Sequence, residues 1–420
     1  MAREFFDDKG KFLHSEFAWW LLKEKEIVLI DNVLAIRING VYERGDKAIE
    51  RAMLEKISDL KRADRSEVLS YLELNAKNER LSSCSFIAFE NGVYCTDTGV
   101  FKEDFKDNLV ITNRIPHKFN MYAYSEVADR TLNKLSCNDT EIRALLEEVI
   151  GYTFFRRNEL RKAFILTGEK ANGKSTFIDM IATLLGDENT SALDLRELSD
   201  RFKTAELYGK LANLGDDIEG DYISNPAILK KAVSGDRINA ERKGKDPFDF
   251  KPYAKLIFSA NDIPKIKDRS GAVLDRLIIV PFNATFSKSD PDFDPFIVSK
   301  LREEEVMEYL IQIGIKGLHR VLANNSFTMS SKVKDSLLEY SKDNNPIGLF
   351  VEEEDILDIV GYTPKEVYTR YVDFCKDCGY KTLALNEFSK RLRRELNLKT
   401  ITKKEGDIFK KVYRSALVNY

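Results

Sequence analysis

The chain has 420 residues, 43% of them hydrophobic and 32% charged, with 69 acidic against 66 basic residues for a formal charge of −3. That length exceeds one core and implies two or three domains, and the near-balance of charge excludes a uniformly basic nucleic-acid coat, so any grip on DNA must come from local Lys and Arg clusters. Met1–Gly10 lacks the apolar core of a signal peptide, no apolar run approaches the roughly 18 residues of a bilayer span, and five cysteines suit a reducing compartment, so a soluble intracellular protein without membrane partners is expected.

Residues 1–140 mix helix with short β-like runs and are read as a mixed α+β N-terminal domain. Apolar residues at three-to-four spacing predict helix over Ile49–Leu74. Trp19 and Trp20 are adjacent, so on a helix they cannot face the same way, and packing is expected of at least one. Phe86–Phe89, Glu90-Asn91-Gly92 and Val93–Cys95 read as a hairpin through an Asn-Gly turn.

Residues 141–325 alternate strands with helices, which predicts an α/β layer. Lys162–Leu166, Leu211–Leu214, Lys255–Ser259 and Leu277–Val280 are the continuous apolar runs expected of buried parallel strands, and Ser175–Leu185 reads as a helix ended by Gly186. Residues 326–420 form the third unit: Asn344-Asn345-Pro346 reads as a linker and Glu352–Asp355 as the opening of an acidic helix. Glu366–Cys375 and Leu385–Leu396 are helical in period, and Lys399–Thr402 and Phe409–Tyr413 alternate about the turn Glu405-Gly406-Asp407. Two helices and a two-stranded wing predict a winged-helix module. Cys375 and Cys378 form a lone C-x-x-C without further ligands for a structural zinc, and the spacing puts both on one helix face as packing residues.

The chemistry concentrates in the middle unit. Gly168-Glu169-Lys170-Ala171-Asn172-Gly173-Lys174-Ser175, followed by Thr176, fits G-x-x-x-x-G-K-[ST] between a buried strand and a helix. Glycines let backbone N–H groups curl around phosphate oxygens at a helix N-terminus. Lys174 is placed on the β- and γ-phosphates of ATP and the Ser175 hydroxyl on Mg2+. The next strand ends in Asp216-Asp217, where open α/β sheets bind ligands; Asp216 is assigned to the metal, Asp217 to the attacking water, and Glu219 stands by as a second base. Asn261, at the tip of the third strand, could sense the γ-phosphate through its amide.

Together with Lys230–Asp236 through Lys245 and the strand Phe258-Ser259-Ala260-Asn261, these motifs resemble a superfamily 3 helicase, an AAA+-like P-loop NTPase. The narrower likeness is to the phage and plasmid primase–helicase type with its poxvirus relatives. It is strongest over 140–285 and weaker over Phe89–Val93 and the C-terminal module. The resemblance implies a ring of six subunits with ATP between neighbours, an N-terminal collar, single-stranded DNA in the channel and 3′ to 5′ travel, in phage or mobile-element replication within a bacterial cytoplasm. It puts the sensor on Asn261 and the arginine finger on Arg276, where Asp275 stands in place of a frequent first arginine and Arg269 is a second candidate. It also makes Asn239–Phe248 the DNA-contacting hairpin, with Lys243 and Lys245 about a glycine turn. No paired-aspartate strand or zinc cluster precedes the motor, so priming would fall to a separate primase or other replication partner.

Lys381–Tyr420 carries eleven Lys or Arg against four Asp or Glu. Lys390, Arg391, Arg393 and Arg394 on the second helix suit phosphates of forked DNA, although a solvated face or a protein partner fits such a run as well. Two other readings stay open: a replication initiator that melts an origin without travelling, and a small-molecule P-loop kinase, which gains nothing from Lys243, Lys245 or a basic tail.

Overall fold

The computed structural model describes residues 3–415 apart from 105–107, 217, 219–222, 224, 267–270, 291–292, 355–358, 379, 381 and 406–407. Helix α1 (His14–Glu24) leads into strands β1 (Ile27–Ile30), β2 (Val33–Ile38) and β3 (Val41–Arg44), then α2 (Asp46–Lys56), α3 (Arg62–Asn75) and β4 (Lys77–Glu79), with sheet order β3-β2-β1-β4. Alternation decides the faces: Ile27 and Leu29 pack with Phe17, Ile49, Met53 and Leu72 of the three helices, while Val28 and Ile30 pack on the opposite side with Tyr42 and Val110. The single helix expected over Ile49–Leu74 is broken between α2 and α3. Ile57 turns extended and both Ile57 and Leu60 are buried, so the apolar spacing continues through a bend that Arg65 Nη1 ties by donating to Leu60 O at 2.6 Å. Of the tryptophans, Trp20 stacks on Phe17 at 5.7 Å and Trp19 is exposed.

Strands β5 (Phe86–Phe89), β6 (Gly92–Cys95), β7 (Val100–Lys102) and β8 (Arg114–Ile115) form a second sheet ordered β7-β6-β5-β8. The hairpin forms as expected, with Phe89 paired to Gly92 across Glu90-Asn91. Helices α4 (Glu126–Leu135) and α5 (Thr140–Phe154) follow, the latter started by Asp139, whose carboxylate accepts from Glu141 N and Ile142 N. Ile87, Phe89 and Ile115 belong to the same apolar cluster as α5 and the central sheet, so packing runs across the boundary expected near 140.

That sheet holds β9 (Ala163–Thr167), β10 (Thr190–Ser191), β11 (Ala212–Gly215), β14 (Lys255–Ala260) and β15 (Leu277–Pro281) in the order β10-β11-β14-β9-β15. Every pair is parallel. Helix α6 (Lys174–Leu185) follows β9, while α7 (Ala227–Ser234) and the antiparallel hairpin β12 (Ile238–Ala240) and β13 (Phe248–Phe250) lie between β11 and β14. Phe164, Leu166, Ile278 and Val280 face α5 and α6; Ala163, Ile165, Leu277 and Ile279 face α7. Both faces are covered, as a parallel sheet requires. At the start of β14, Lys255 is fully buried and donates to Phe155 O, Arg157 O, Asn158 Oδ1 and Tyr253 O at 2.6–2.9 Å; burial pushes its pKa well below the usual lysine range.

After α8 (Ile297–Lys300), the long helix α9 (Glu304–Asn324) lies along α5 at a glycine seam. A Cβ built on Gly151 would come within 1.9 Å of Gly314 O, and one on Gly317 within 2.5 Å of Glu147 O. Beside the seam, buried Glu148 accepts from Arg320 Nε at 2.6 Å and from Thr328 N and Oγ1 at 2.7 Å. Burial works against the Asp129 carboxylate of α4, yet hydrogen bonds from Tyr309 and Arg143 outweigh it and hold its pKa below the ordinary value.

Helix α10 (Ser331–Asp343) packs on β15 and leads to α11 (Pro346–Glu353), α12 (Pro364–Asp377), α13 (Leu385–Glu395) and the hairpin β16 (Leu398–Glu405) and β17 (Ile408–Ser415). Here the acidic stretch reads differently from expectation. Pro346 is the first residue of α11 and Glu352-Glu353 close that helix, because Ile347 and Phe350 supply the buried face that sets its position. Asp355, Gly406 and Asp407 lie outside the described residues. Cys375 and Cys378 do not share a face: the first is buried and the second exposed at the end of α12. Among the described residues no helix is long and apolar enough to cross a membrane.

Gly151→Ala should cost about 1–3 kcal/mol, because its new methyl meets backbone that cannot rotate away. A thermal melt at unchanged Tm would show that α5 and α9 separate without penalty.

Candidate nucleotide site

The loop 168–173 owes its shape to three left-handed or near-left-handed residues, Gly168 (φ 151°), Ala171 (φ 60°) and Gly173 (φ 85°). Gly168 leaves no room for a side chain, since a Cβ there would lie 2.2 Å from Phe282 O. Gly173 caps α6 in the αL conformation, and Lys174 is the first helical residue, so its N–H and those after it face the loop with the positive end of the helix dipole. Glu169, Lys170 and Asn172 complete the loop and Thr176 sits in the first turn of α6.

Three strand tips meet this loop. Parallel register sets Thr167 of β9 opposite Ala260 of β14 and Pro281 of β15, while Gly215 of β11 pairs with Phe258. The residues just beyond those pairs therefore converge: Gly168, Asn261 and Asp216. The buried Lys174 donates to Gly168 O at 2.5 Å, Glu169 O at 2.8 Å and Asn261 Oδ1 at 3.1 Å. Ser175 Oγ donates to Asp216 Oδ1 at 3.2 Å, and Ser259 Oγ donates to the same oxygen. Asp217 and Glu219 lie outside the described residues.

This set suits a phosphorylated ligand with magnesium. Asn172 Oδ1 is buried without a hydrogen-bond partner in the middle of the loop, two glycines provide the cradle, and a hydroxyl beside a carboxylate is a hard oxygen donor pair of the kind Mg2+ takes alongside phosphate oxygens. Among the described residues no group of three or more His, Cys, Asp or Glu could hold a metal by itself. Ser259 is the residue that sequence reasoning passed over; its only signal is a hydroxyl at the tip of an apolar strand.

Residues 342–415 match the poxvirus D5 protein-like family, and residues 166–276 match a family of unknown function, DUF5906. Two curated relatives are “Putative helicase V13” of Sputnik virophage, 25% identical over 76% of this chain and 43% of its own length, and “Putative helicase 121R” of Invertebrate iridescent virus 3, 27% identical over 64% and 32%. The chain is thus similar to the poxvirus D5 protein-like family over its residues 342–415. It spans less than half the length of those relatives. Its fold is also that of the NrS-1 C-terminal region: two apo structures of that region superpose with a TM-score of 0.51 at 14% identity, covering 94% and 96% of this chain and 97% and 99% of theirs.

The remaining candidates lie away from the loop. Arg276 precedes β15, whose first residue pairs with Ala163, so it sits at the amino-terminal edge of the sheet. At about 3.3 Å per residue that is roughly 16 Å from Gly168. Its guanidinium donates to Ser234 Oγ at 3.2 Å and Ala272 O at 2.6 Å. Arg269 lies outside the described residues. The β12–β13 hairpin carries Lys243 exposed at its tip, whereas Lys245 lies 3.9 Å from Asp46. At its base Arg242 covers the Tyr208 ring at 5.6 Å and the Phe248 ring at 5.1 Å. On α13, Lys390, Arg393 and Arg394 are exposed, but Arg391 is paired with Glu387 at 3.1 Å, one turn back on the same helix.

Gly168→Ala and Gly244→Ala both put a side chain at positive φ, but only the first drives it into backbone. The expected result is a Tm clearly lower for Gly168→Ala than for Gly244→Ala; equal values would mean that the contact with Phe282 O yields freely.

Proposed function

We propose that this chain is the motor of a ring-shaped, ATP-driven DNA helicase acting in the replication of a virus or mobile element. The observation that carries the reading is the convergence on Lys174: its ammonium reaches Asn261 while the neighbouring Ser175 meets Asp216, all at the carboxyl ends of adjacent parallel strands. A P-loop NTPase needs those groups within one phosphate chain of each other.

In this reading the backbone of 168–173 and Lys174 hold the triphosphate, and Ser175 with Asp216 holds magnesium, which supplies charge neutralisation on the β- and γ-phosphate oxygens when bound. Asn261 would report on the γ-phosphate by donating from its Nδ2, while its Oδ1 accepts from Lys174. Asp217, with Glu219 as a second base, orients the attacking water. Arg276, a strand length from its own loop, is suited to a neighbour's site, which favours a ring of identical subunits, six by the family resemblance. Lys243 and Lys245 would then hold the phosphates of single-stranded DNA, and the α12–α13 and β16–β17 unit would act as a winged helix whose Lys390, Arg393 and Arg394 face a fork duplex.

ATP hydrolysis measured with and without single-stranded DNA tests this. Stimulation by DNA is expected in the wild type, with Lys174→Ala losing hydrolysis at least 100-fold, and a Lys243→Ala, Lys245→Ala pair keeping the basal rate while losing the stimulation. Wild-type turnover in Lys174→Ala would remove the phosphate-loop assignment; stimulation without strand displacement on long forks would favour an initiator.

Arg276→Ala should be inactive alone but recover activity in rings mixed with Lys174→Ala subunits, since a mixed interface restores one complete site. Absence of complementation would place Arg276 outside any trans role.

A further inference from the structure

The guanidinium of Arg276 is held without a counter-charge. Nε and Nη2 both donate to the Ser234 hydroxyl oxygen at 3.2 Å and Nη1 donates to Ala272 O at 2.6 Å, while no ion pair with a carboxylate forms among the described residues. A fork of Nε and Nη2 is spaced for the two oxygens of a carboxylate or phosphate. Closed on one neutral oxygen, it is oriented but only partly used, and it can turn to an anion that comes within reach. We propose that Ser234 is the positioning residue of Arg276, its hydroxyl fixing the direction in which the guanidinium is offered to the triphosphate of a neighbouring subunit. The proposal rests on reading Arg276 as the residue that completes a neighbour's site.

Both ends of this contact stand on backbone that is secured without it. Ser234 closes α7, whose Leu229, Ala232 and Val233 are buried in one cluster with Leu277 and Ile279 of β15. Asn158 Nδ2 donates to Ala232 O at 2.9 Å and ties the last turn of the helix from the other side. The turn that bears Arg276 has its own bonds: Arg276 N donates to Val273 O at 2.9 Å and Lys162 Nζ to Asp275 O at 2.5 Å. Removing the hydroxyl therefore leaves both backbones in place and frees only the arginine side chain, which keeps its single bond to Ala272 O. A long side chain released in this way spreads over several rotamers, and a group displaced by an ångström loses much of its effect on the reacting atoms.

The test is steady-state ATP hydrolysis, with magnesium and single-stranded DNA, by the wild-type chain, Ser234→Ala, Ser234→Thr and Arg276→Ala, alongside a thermal melt of each. Ser234→Ala should lower kcat about 10- to 100-fold with KM for ATP unchanged, the pattern of a contact made only in the transition state, and with Tm preserved. Ser234→Thr keeps the hydroxyl and should restore most of the rate. Rings mixed from Ser234→Ala and Lys174→Ala subunits should regain hydrolysis, because the Lys174→Ala subunit offers a well-placed Arg276 to a neighbour whose phosphate loop is intact. Wild-type turnover in Ser234→Ala beside an inactive Arg276→Ala overturns the positioning role alone. So does an equal loss in Ser234→Thr, a Tm that falls with the rate, or a defect that mixing does not relieve. Wild-type turnover in Arg276→Ala, or a wild-type chain that hydrolyses no ATP, removes the reading of Arg276 and the role of Ser234 with it.

Discussion

The parallel register of β9 against β14 and β15 is the constraint on which the rest of the structure depends. A slip of one residue in either pair would turn alternate side chains to the opposite face and would move Asn261 or Phe282 away from the loop. Register is fixed because both faces of the sheet are buried: the residues that alternate toward α5 and α6 and those that alternate toward α7 are equally apolar, so neither set tolerates exchange with solvent. Lys174, Ser175, Asp216 and Asn261 meet without any one of them being near another in sequence, apart from the first two.

Packing links this site to its surroundings unequally. Toward the N-terminal half the join is dense, with α5 and α9 in backbone contact at Gly151 and Gly314 and the β5–β8 sheet in the same apolar cluster. Toward the β12–β13 hairpin the join is a run of planar groups, Arg44 over Tyr208 at 4.9 Å and Arg242 over both Tyr208 and Phe248, with Arg201 paired to Glu241 at 2.8 Å. Stacked guanidinium and phenol groups slide more readily than interlocked aliphatic side chains, and exposed ion pairs contribute little. Beneath these groups Ile238, Ala240 and Phe250 anchor the hairpin's strands in the buried apolar cluster of the central sheet.

Much of this was legible in the sequence, and the reasons differ by element. Continuous apolar runs named four of the five strands of the central sheet, because a strand buried on both faces has no polar alternation to disguise it. The fifth, Thr190–Ser191, is two residues long and carries no pattern. The turn at 168–173 was legible because its two glycines mark the positive-φ positions that lead from β9 into α6. Asn261 and Asp216 were legible only through their place at strand ends, and Ser259 was passed over because a lone hydroxyl in an apolar run reads as packing. The broken helix over 49–74 and the misplaced acidic helix share one cause: periodicity records which residues are buried, not whether the backbone between them stays helical. Lys255 shows the limit most plainly, as a charged residue opening a strand, with four oxygens closed around it that no local pattern announces.

The third strand of the sheet ends in Ala260, and six residues later Ile266 is gripped by Asn344 at the far end of α10, whose amide takes both the N–H (2.9 Å) and the C=O (2.8 Å) of that one peptide position. Tyr340 adds a bond to Pro264 O at 2.8 Å. A side-chain amide bound in this two-way fashion copies a rung of β-ladder. With α10 packed on β15 as well, the segment that follows Asn261 is tied to the last strand of the sheet through a helix that lies outside it.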